Sequence, residues 1–286
     1  MMNTSFEEKL QELIEGALKE DVGEGDHTTL SSIDADAEGK AVLKIKQGGT
    51  LAGLNVAESF FRFVEPGSVI TNFLQDGDQM NAGDKAFEIE ARVHTILTCE
   101  RVVLNTMQRM SGIATLTKRF TDKVKDYPVK ILDTRKTTPG FRLLEKEAVR
   151  IGGGHNHRFA LYDQILLKDN HIDYCGGIDQ ALNRAWEYVQ KIKPGLKIEI
   201  ETRNLDEVEQ VLKNGKADRI MLDNFTPEQL AVAVKRINKA METEASGGLH
   251  LDNIISYAQT GVDYLSIGAL IHQAVGLDMS LKATIK

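Results

Sequence analysis

The chain has 286 residues, a formal net charge of −7 and 42% hydrophobic residues. This length suits one large domain or two modest ones, and the hydrophobic content is enough for an ordinary globular core. The acidic balance argues against nucleic-acid binding as the main function of the protein.

The N-terminal segment predicts an acidic amphipathic helix. Its apolar residues recur at helical spacing, at Leu10, Leu13, Ile14 and Leu18. The pattern ends at Gly23, Gly25 and Asp26. The segment lacks the basic region and apolar run of a secretory signal, and no apolar run in the chain is long enough to span a membrane. We therefore expect a cytoplasmic protein.

Two cysteines, Cys99 and Cys175, lie far apart in the sequence. Such sparse usage argues against a disulfide framework and fits a reducing compartment.

The rest of the first third predicts strands followed by one long helix. The segments "KAVLKIKQ" and "KAFEIEA" alternate in hydrophobicity as strands do, and turn sequences such as "DGDQMNAGD" separate such runs. A helical pattern then extends over 95–124. We place an N-terminal α/β domain at 1–112, which includes part of this helix.

From residue 113 to 286 the pattern changes to strand–helix alternation. Helical segments separate short apolar runs, which are "VKILDTRK", "QILLKDN", "KIEIETR", "RIMLDNF", "ETEASGG" and "YLSIGAL". This alternation predicts parallel βαβ units, and polar residues follow each run, as at the active-site face of a β/α barrel. Six runs instead of eight indicate an incomplete, open barrel. We expect the residues from about 272 onward to pack back on the N-terminal domain.

The segment from Ile151 to His171 concentrates cationic and imidazole groups in an acidic chain, with three of the seven histidines. Its glycine triplet, 152–154, could be a phosphate loop or a close-packed turn. The lysine–serine/threonine ending of a Walker motif is absent, so the triplet alone does not decide between them. Its "HNH" sequence, 155–157, is either a metal site or a set of hydrogen-bonded histidines, because no cysteine has suitable spacing.

Cationic residues also follow consecutive predicted strands. Segment 133–171 contains seven Lys and Arg residues but only five Asp and Glu residues. The cationic and imidazole residues at or beside predicted strand ends are Arg135, Lys136, His157, Arg158 and Lys168. In a barrel these groups converge on one mouth. Such a cluster suits a substrate with several carboxylates or phosphates.

Two carboxylates and two small-residue loops complete this predicted face. Glu201 and Asp223 lie at the ends of neighbouring runs. Each could cap a helix, pair with the cations or bind Mg²⁺, an ion that needs few protein ligands. The loops after the last two runs predict an anion site where backbone amides approach a phosphate; they comprise Ser246, Gly247 and Gly248, and then Ile267, Gly268 and Ala269.

The block "DTRKTTPGFRLLEKEAVRIGGGHNHRFALYDQILLKDNH" closely resembles the signature of the nicotinate-nucleotide pyrophosphorylase (carboxylating) family, also called quinolinate phosphoribosyltransferase. The segments "ERVVLN", "IEIE", "MLDNF", "EASGG" and "GVDYLSIGAL" extend the resemblance, in family order, over nearly the whole chain. The "ETRN" after the second glutamate is less usual.

The resemblance implies an N-terminal α/β sandwich and an open α/β barrel, assembled as a homodimer or a larger oligomer such as a hexamer. The implied reaction joins quinolinate to phosphoribosyl pyrophosphate and gives nicotinate mononucleotide, pyrophosphate and CO₂, on the route to NAD. Both substrates are polyanions, which would account for the cationic segment.

The same resemblance implies a role for individual residues. Arg135, His157, Arg158 and Lys168 would surround the quinolinate carboxylates, with Thr134 and Lys136 beside them, and Arg101 would come from the neighbouring subunit. Glu201 and Asp223 would face the ribose and Mg²⁺, with Lys136 as a third catalytic residue. The phosphate end would comprise Ser246, Gly247, Gly248, Ile267, Gly268, Ala269 and His272.

Three alternatives stay open at this point. The chain could be a phosphoribosyltransferase for another pyridine acid such as nicotinate, although a monoacid needs fewer cations. It could be a catalytically silent anion-binding protein on the same fold, although a pure anion binder would omit the two carboxylates. A metal-dependent hydrolase that uses the histidines is the third.

Overall fold

The computed structural model describes residues 5–284, and the chain passes repeatedly between two units. The first unit takes the described residues up to Lys118, then Thr137–Gly153, and those from Leu270 on. The second takes Arg119–Lys136 and Gly154–Ala269.

The first unit begins with the predicted amphipathic helix, α1 (Phe6–Val22), followed by α2 (His27–Ser32). Ser5 and Glu8 form a capping box at the start of α1, which satisfies backbone donors that a helix leaves free. Leu10 and Ile14 are buried, so the predicted apolar face is the packed face.

The sheet of the first unit is antiparallel and has four strands in the order β12-β1-β5-β3. These strands are β1 (Glu38–Ile45), β3 (Val69–Asn72), β5 (Lys85–Arg92) and β12 (Met279–Ala283). A separate two-stranded sheet joins β2 (Gly49–Thr50) to β4 (Gln79–Met80). Helix α3 (Leu54–Val64) packs through Phe61, whose ring meets Phe87 of β5 edge to face at 6.0 Å.

The predicted long helix is α4 (Val93–Lys123), and its last five residues belong to the second unit. Cys99 is buried in α4, and burial raises the pKa of its thiol to about 12. The first unit also contains α5 (Arg142–Ile151), where fully buried Glu145 accepts hydrogen bonds from Arg109 and Thr138.

The second unit contains six parallel strands, and each lies inside one of the six predicted runs. They are β6 (Lys130–Leu132), β7 (Ile165–Leu167), β8 (Ile198–Thr202), β9 (Arg219–Asp223), β10 (Glu242–Ser246) and β11 (Tyr264–Ser266). The intervening helices are α6 (Asp169–Cys175), α7 (Ile178–Lys191), α8 (Leu205–Asn214), α9 (Pro227–Ile237) and α10 (Ile254–Ala258). After the last strand comes α11 (Ala269–His272), which belongs to the first unit from Leu270 on.

The strand order β6-β11-β10-β9-β8-β7 leaves β6 and β7 at opposite ends of the sheet. Each strand from β8 to β11 has two neighbours, and within residues 5–284 no pairing joins β6 to β7. The barrel is therefore open between its first two strands, which confirms the predicted incomplete barrel and the α/β fold class.

Side chains alternate between the two faces of the barrel sheet. In β8 the apolar Ile198 and Ile200 alternate with Glu199 and Glu201, and all four are buried. One face therefore packs in an apolar layer while the other carries charged groups. Among residues 5–284, no helix combines the length and the apolar character needed to cross a bilayer.

Candidate active site

Polar side chains gather at the carboxyl ends of the six parallel strands. Because these ends meet at one edge of the sheet, residues far apart in sequence become neighbours there. In strand order along the chain, this edge carries Thr134, Arg135 and Lys136 after β6, Lys168 after β7, Glu201 in β8, Asp223 in β9, Ser246 in β10 and Ile267 after β11.

Two guanidinium groups at this edge interact electrostatically. Burial and the positive charge of Arg135 both lower the pKa of Arg158, although Glu199 and Asp163 oppose this. Arg135 is exposed and Arg158 is half-buried. Like charges repel at close range, so this pair favours an anionic ligand between its members.

A carboxylate pair lies at the same edge. Burial and the negative charge of Asp223 raise the pKa of Glu201, while Lys168 lowers it. The Lys168 Nζ atom is 3.8 Å from Glu201 Oε2. A second carboxylate that disfavours the ionisation of Glu201 makes this edge a site for positive charge.

His157 does not share its surroundings with His155, since His155 is exposed and His157 is buried. The His157 Nε2 atom lies 3.0 Å from Glu199 Oε2 and 3.4 Å from Glu244 Oε2. Burial lowers the pKa of the imidazole, but hydrogen bonds to the two carboxylates outweigh burial and raise that pKa to about 9.

The backbone fixes which nitrogen of His157 carries the proton. The Arg158 N–H donates to Nδ1 at 2.8 Å, which requires a lone pair on that atom. A proton on Nδ1 would point at another N–H, so this contact keeps Nδ1 unprotonated. In the neutral ring the proton therefore sits on Nε2, the nitrogen nearest to the two carboxylates.

His157, Glu199 and Glu244 are the one group of three or more potential metal ligands that residues 5–284 bring together. Other donors already engage both carboxylates: the Gln164 amide reaches Glu199 at 2.7 Å, and the Arg219 guanidinium reaches Glu244 at 3.1 Å. A cation here would face the charge of Arg219. We interpret the group as a hydrogen-bonded network, which agrees with the second interpretation of the "HNH" sequence.

The sequence interpretation missed Glu199 and Glu244. The signal that could have found them is the alternation in "KIEIE" and "ETEAS", where Glu199 shares a face with Glu201, and Glu244 shares a face with Ser246. Both glutamates thus lie one layer below the residues that were predicted.

The loop after β10 depends on Gly247. This residue has φ +91°, and a Cβ atom there would lie 2.2 Å from the Asn224 side-chain oxygen. The Asn224 N–H in turn donates to the Ser246 carbonyl at 2.8 Å. The close approach of these two loops therefore requires glycine at position 247.

Replacing Gly247 by alanine should lower the free energy of unfolding by about 1–3 kcal/mol, the usual cost of a strained backbone conformation. Urea denaturation measures the loss. Gly215→Ala is the matched control, because Gly215 also has a positive φ, +71°, but only a contact at 4.0 Å. Equal losses for the two variants would show that Asn224 does not constrain position 247.

The remaining predicted residues have varied surroundings. The Ile267 N–H donates to the Leu132 carbonyl and so continues the β11–β6 pairing. Gly152 packs against α4, since a Cβ atom there would lie 2.5 Å from the Ala114 carbonyl oxygen, which supports the close-packed interpretation of the glycine triplet. Arg101 and His272 belong to the first unit, where both are exposed, and their roles stay predictions.

Comparisons with known proteins match both parts of the chain. The family model described as quinolinate phosphoribosyl transferase, C-terminal domain, matches residues 113–282, and the model of the N-terminal domain matches residues 26–111.

Curated proteins and solved structures match over nearly the full length. The quinolinate phosphoribosyltransferase [decarboxylating] 1b of Nicotiana tabacum is 43% identical, over 96% of this chain and 82% of that protein. The probable nicotinate-nucleotide pyrophosphorylase [carboxylating] of Bacillus subtilis is 38% identical, over 97% and 94%. The crystal structure of NadC from Streptococcus pyogenes has a TM-score of 0.90 and 39% identity, and the match covers 96% of each chain.

Proposed function

The chain belongs to the quinolinate phosphoribosyltransferase family, and from this membership we infer which residues carry out the family's reaction. The enzyme transfers the phosphoribosyl group of phosphoribosyl pyrophosphate to quinolinate with decarboxylation. The products are nicotinate mononucleotide, pyrophosphate and CO₂, in NAD biosynthesis. The observation that carries the assignment of residues is the guanidinium pair of Arg135 and Arg158, on the same edge as the carboxylate pair of Glu201 and Asp223.

The guanidinium pair supports a diacid as the acceptor substrate. Two adjacent carboxylates on a pyridine ring can each pair with one guanidinium, and this pairing relieves the repulsion between Arg135 and Arg158. Lys168 and Thr134 lie at the same edge and add donors. His157 lies in the layer beneath the substrate, because its ring nitrogens already contact the Arg158 N–H and Glu199.

The carboxylate pair supports a dissociative transfer step. The quinolinate nitrogen forms a bond to the anomeric carbon while the bond from that carbon to pyrophosphate breaks, and positive charge develops on the ribose. We assign the stabilisation of this charge to Glu201 and Asp223. The 2-carboxylate then leaves as CO₂, its bonding electrons remain at C2 beside the cationic nitrogen, and C2 takes up a proton.

We also propose that the enzyme uses Mg²⁺ with Glu201 and Asp223, directly or through waters and the pyrophosphate. Hard carboxylate oxygens suit this ion, and the ion needs few protein ligands. The raised pKa of Glu201 supports the fit, since a nearby cation would offset the repulsion from Asp223. When bound, the ion supplies charge neutralisation for the departing pyrophosphate.

The phosphate groups of the second substrate would lie at the small-residue loops. Gly248 has φ +62° and is exposed, and Ser246 is half-buried. We assign Lys136 as a third catalytic residue beside Glu201 and Asp223. We assign the phosphate end to these loops and to the residue that follows them, namely Ser246, Gly247, Gly248, Ile267, Gly268, Ala269 and His272.

We propose a homo-oligomer, a dimer or a hexamer, in which Arg101 completes the site of a neighbouring subunit. Arg101 is exposed on α4, and its side chain forms no ion pair within residues 5–284. We further propose a cytoplasmic location, supported by the two cysteines, both of which are free thiols.

Two other functions make different predictions. A transferase for nicotinate would need to neutralise one carboxylate, and the paired guanidiniums exceed that need. A silent anion binder would be weakened by Glu201 and Asp223, which repel an anionic ligand. The carboxylate pair therefore favours an enzyme over a binding protein.

A substrate comparison tests the proposal. With phosphoribosyl pyrophosphate and Mg²⁺, we expect turnover of quinolinate with release of CO₂ and essentially no turnover of nicotinate, measured by product formation and by trapped CO₂. Chelation of Mg²⁺ should abolish the activity. Comparable turnover of nicotinate would overturn the diacid assignment, and activity without a divalent cation would overturn the metal proposal.

A further inference from the structure

Glu199 and Glu244 are carboxylates with no exposed side-chain surface, and the reaction as derived above does not use them. Glu199 lies two residues before Glu201 on β8, and Glu244 lies two residues before Ser246 on β10. Because alternate strand residues share a face, these two glutamates form the layer beneath the site.

Glu199 holds the segment around Arg158 from both sides. Its Oε2 atom lies 3.0 Å from His157 Nε2 and accepts a hydrogen bond from the Gln164 amide at 2.7 Å. His157 Nδ1 accepts from the Arg158 backbone N–H at 2.8 Å, and the Gln164 carbonyl accepts from Arg158 Nη1 at 3.1 Å. The backbone and the guanidinium of Arg158 are therefore both bonded to residues that Glu199 holds.

Arg158 needs such support because its position is unfavourable without a ligand. Burial and the charge of Arg135 both disfavour its ionised form. A long side chain under like-charge repulsion would turn toward solvent, and substrate binding would then have to reorder it. A site held in its binding geometry avoids that cost.

Glu244 approaches the same nitrogen of the His157 ring as Glu199 does. Its Oε2 atom is 3.4 Å from His157 Nε2 and 3.1 Å from Arg219 Nη1. The Arg219 guanidinium in turn stacks over the Tyr264 ring, with its central carbon 4.1 Å from the ring centroid. The network beneath the site is thus anchored across strands β8, β9, β10 and β11.

We propose that Glu199, with Glu244 beside it, is a positioning residue for the quinolinate subsite. It holds Arg158 against Arg135 through His157 and Gln164, and it neither touches the substrate nor transfers a proton. The inference rests on the proposed assignment of Arg158 to a quinolinate carboxylate.

The test compares two substitutions at one position. Glu199→Leu removes both acceptor contacts at similar volume, whereas Glu199→Gln keeps an amide oxygen that can accept. Isothermal titration calorimetry should show the quinolinate Kd raised at least about tenfold in Glu199→Leu, the scale of leaving buried donors unpaired, and restored to within about threefold in Glu199→Gln. The KM for phosphoribosyl pyrophosphate should change less than about twofold.

Glu242→Leu is the matched control. Glu242 lies on β10 and binds the same Arg219, but its side chain is half-exposed to solvent, unlike the buried Glu199 and Glu244. Its quinolinate Kd should stay at the wild-type value. An equal loss of affinity for both substrates in Glu199→Leu, or the same loss in Glu242→Leu, would indicate general damage to the barrel and overturn the proposal.

A double-mutant cycle identifies the route of the effect. If Glu199 acts through Arg158, adding Glu199→Leu to Arg158→Gln should weaken quinolinate binding no further. Additive losses would overturn the proposal. If circular dichroism shows that Glu199→Leu does not fold, Gln164→Leu is used instead, because it removes one of the two residues that link Glu199 to Arg158. An unchanged quinolinate Kd in Gln164→Leu would also overturn the proposal.

Failure of the positioning role is distinct from failure of the proposed function. A wild-type enzyme that does not bind quinolinate would contradict the function itself. A wild-type enzyme that binds quinolinate, with a Glu199→Leu variant that binds it equally well, would contradict only the role of Glu199.

Discussion

Alanine at Glu201 or at Asp223 should lower kcat by about 10²-fold or more, the loss seen when one preorganised electrostatic group is removed from a site. Both carboxylates lie at the barrel edge where positive charge would develop on the ribose, and the charge of Asp223 helps to raise the pKa of Glu201. Steady-state release of nicotinate mononucleotide at saturating substrates measures the effect. Unchanged kcat with intact Mg²⁺ dependence would remove these residues from the mechanism.

The loss of activity should not come from loss of the fold. Burial and Asp223 raise the pKa of Glu201, so the folded protein binds this proton more tightly than the unfolded chain does. The contribution of this group to stability is greatest below the unfolded pKa of glutamate and is lost as pH rises through the raised pKa. Above the raised pKa, the ionised carboxylate is less favourable in the folded protein than in the unfolded chain and therefore opposes folding.

A neutral variant should reveal this opposition. The Tm of Glu201→Gln at pH 7 should equal or exceed that of the wild type without ligands, and the difference should vanish in acid. Glu209→Gln on α8 is the control, since Glu209 is half-exposed and pairs with Arg236. A lower Tm for Glu201→Gln at pH 7 would show that Glu201 stabilises the fold.

Arg101→Ala and Lys136→Ala should each be nearly inactive alone and should regain activity when mixed and allowed to exchange subunits. The two residues belong to different units of the chain, and both side chains are exposed. If Arg101 contacts a quinolinate carboxylate in the neighbouring subunit, the charge-assisted contact contributes about 1.5–3 kcal/mol.

The expected recovery follows from symmetry. A mixed dimer has one site with both defects and one site with neither, so random exchange restores about a quarter of wild-type sites. The control is a mixture of Arg101→Ala with itself, labelled to show exchange directly. A mixture of the two variants that exchanges and stays inactive would mean that Arg101 serves its own chain or only the fold.

The sequence predicts the barrel well because the signals are local. Each strand of the second unit lies inside one of the six predicted runs, and side-chain caps such as Asn204 and Thr226 mark where helices begin. The polar residues at strand ends follow directly from that pattern. Arg135, Lys168, Glu201 and Asp223 could therefore be placed on one edge from spacing alone.

Other features depend on pairings that spacing does not reveal. Strand β12 pairs with β1 across most of the chain, and Glu145 of α5 meets Arg109 of α4. Glu199 and Glu244 read as ordinary strand residues until the barrel brings His157 between them. Tertiary contact, and not local propensity, determines each of these arrangements.

The pairing of β12 with β1 also has a consequence for synthesis on the ribosome. Residues 41–45 of β1 hydrogen-bond to residues 279–283, so the N-terminal sheet lacks one edge strand until nearly all of the described chain has emerged. During that interval β1 presents unpaired backbone groups, which are a template for intermolecular pairing. The strands of the barrel emerge earlier and can pair with one another first. Nascent chains stalled before residue 279 should therefore depend on chaperones more than the finished protein does.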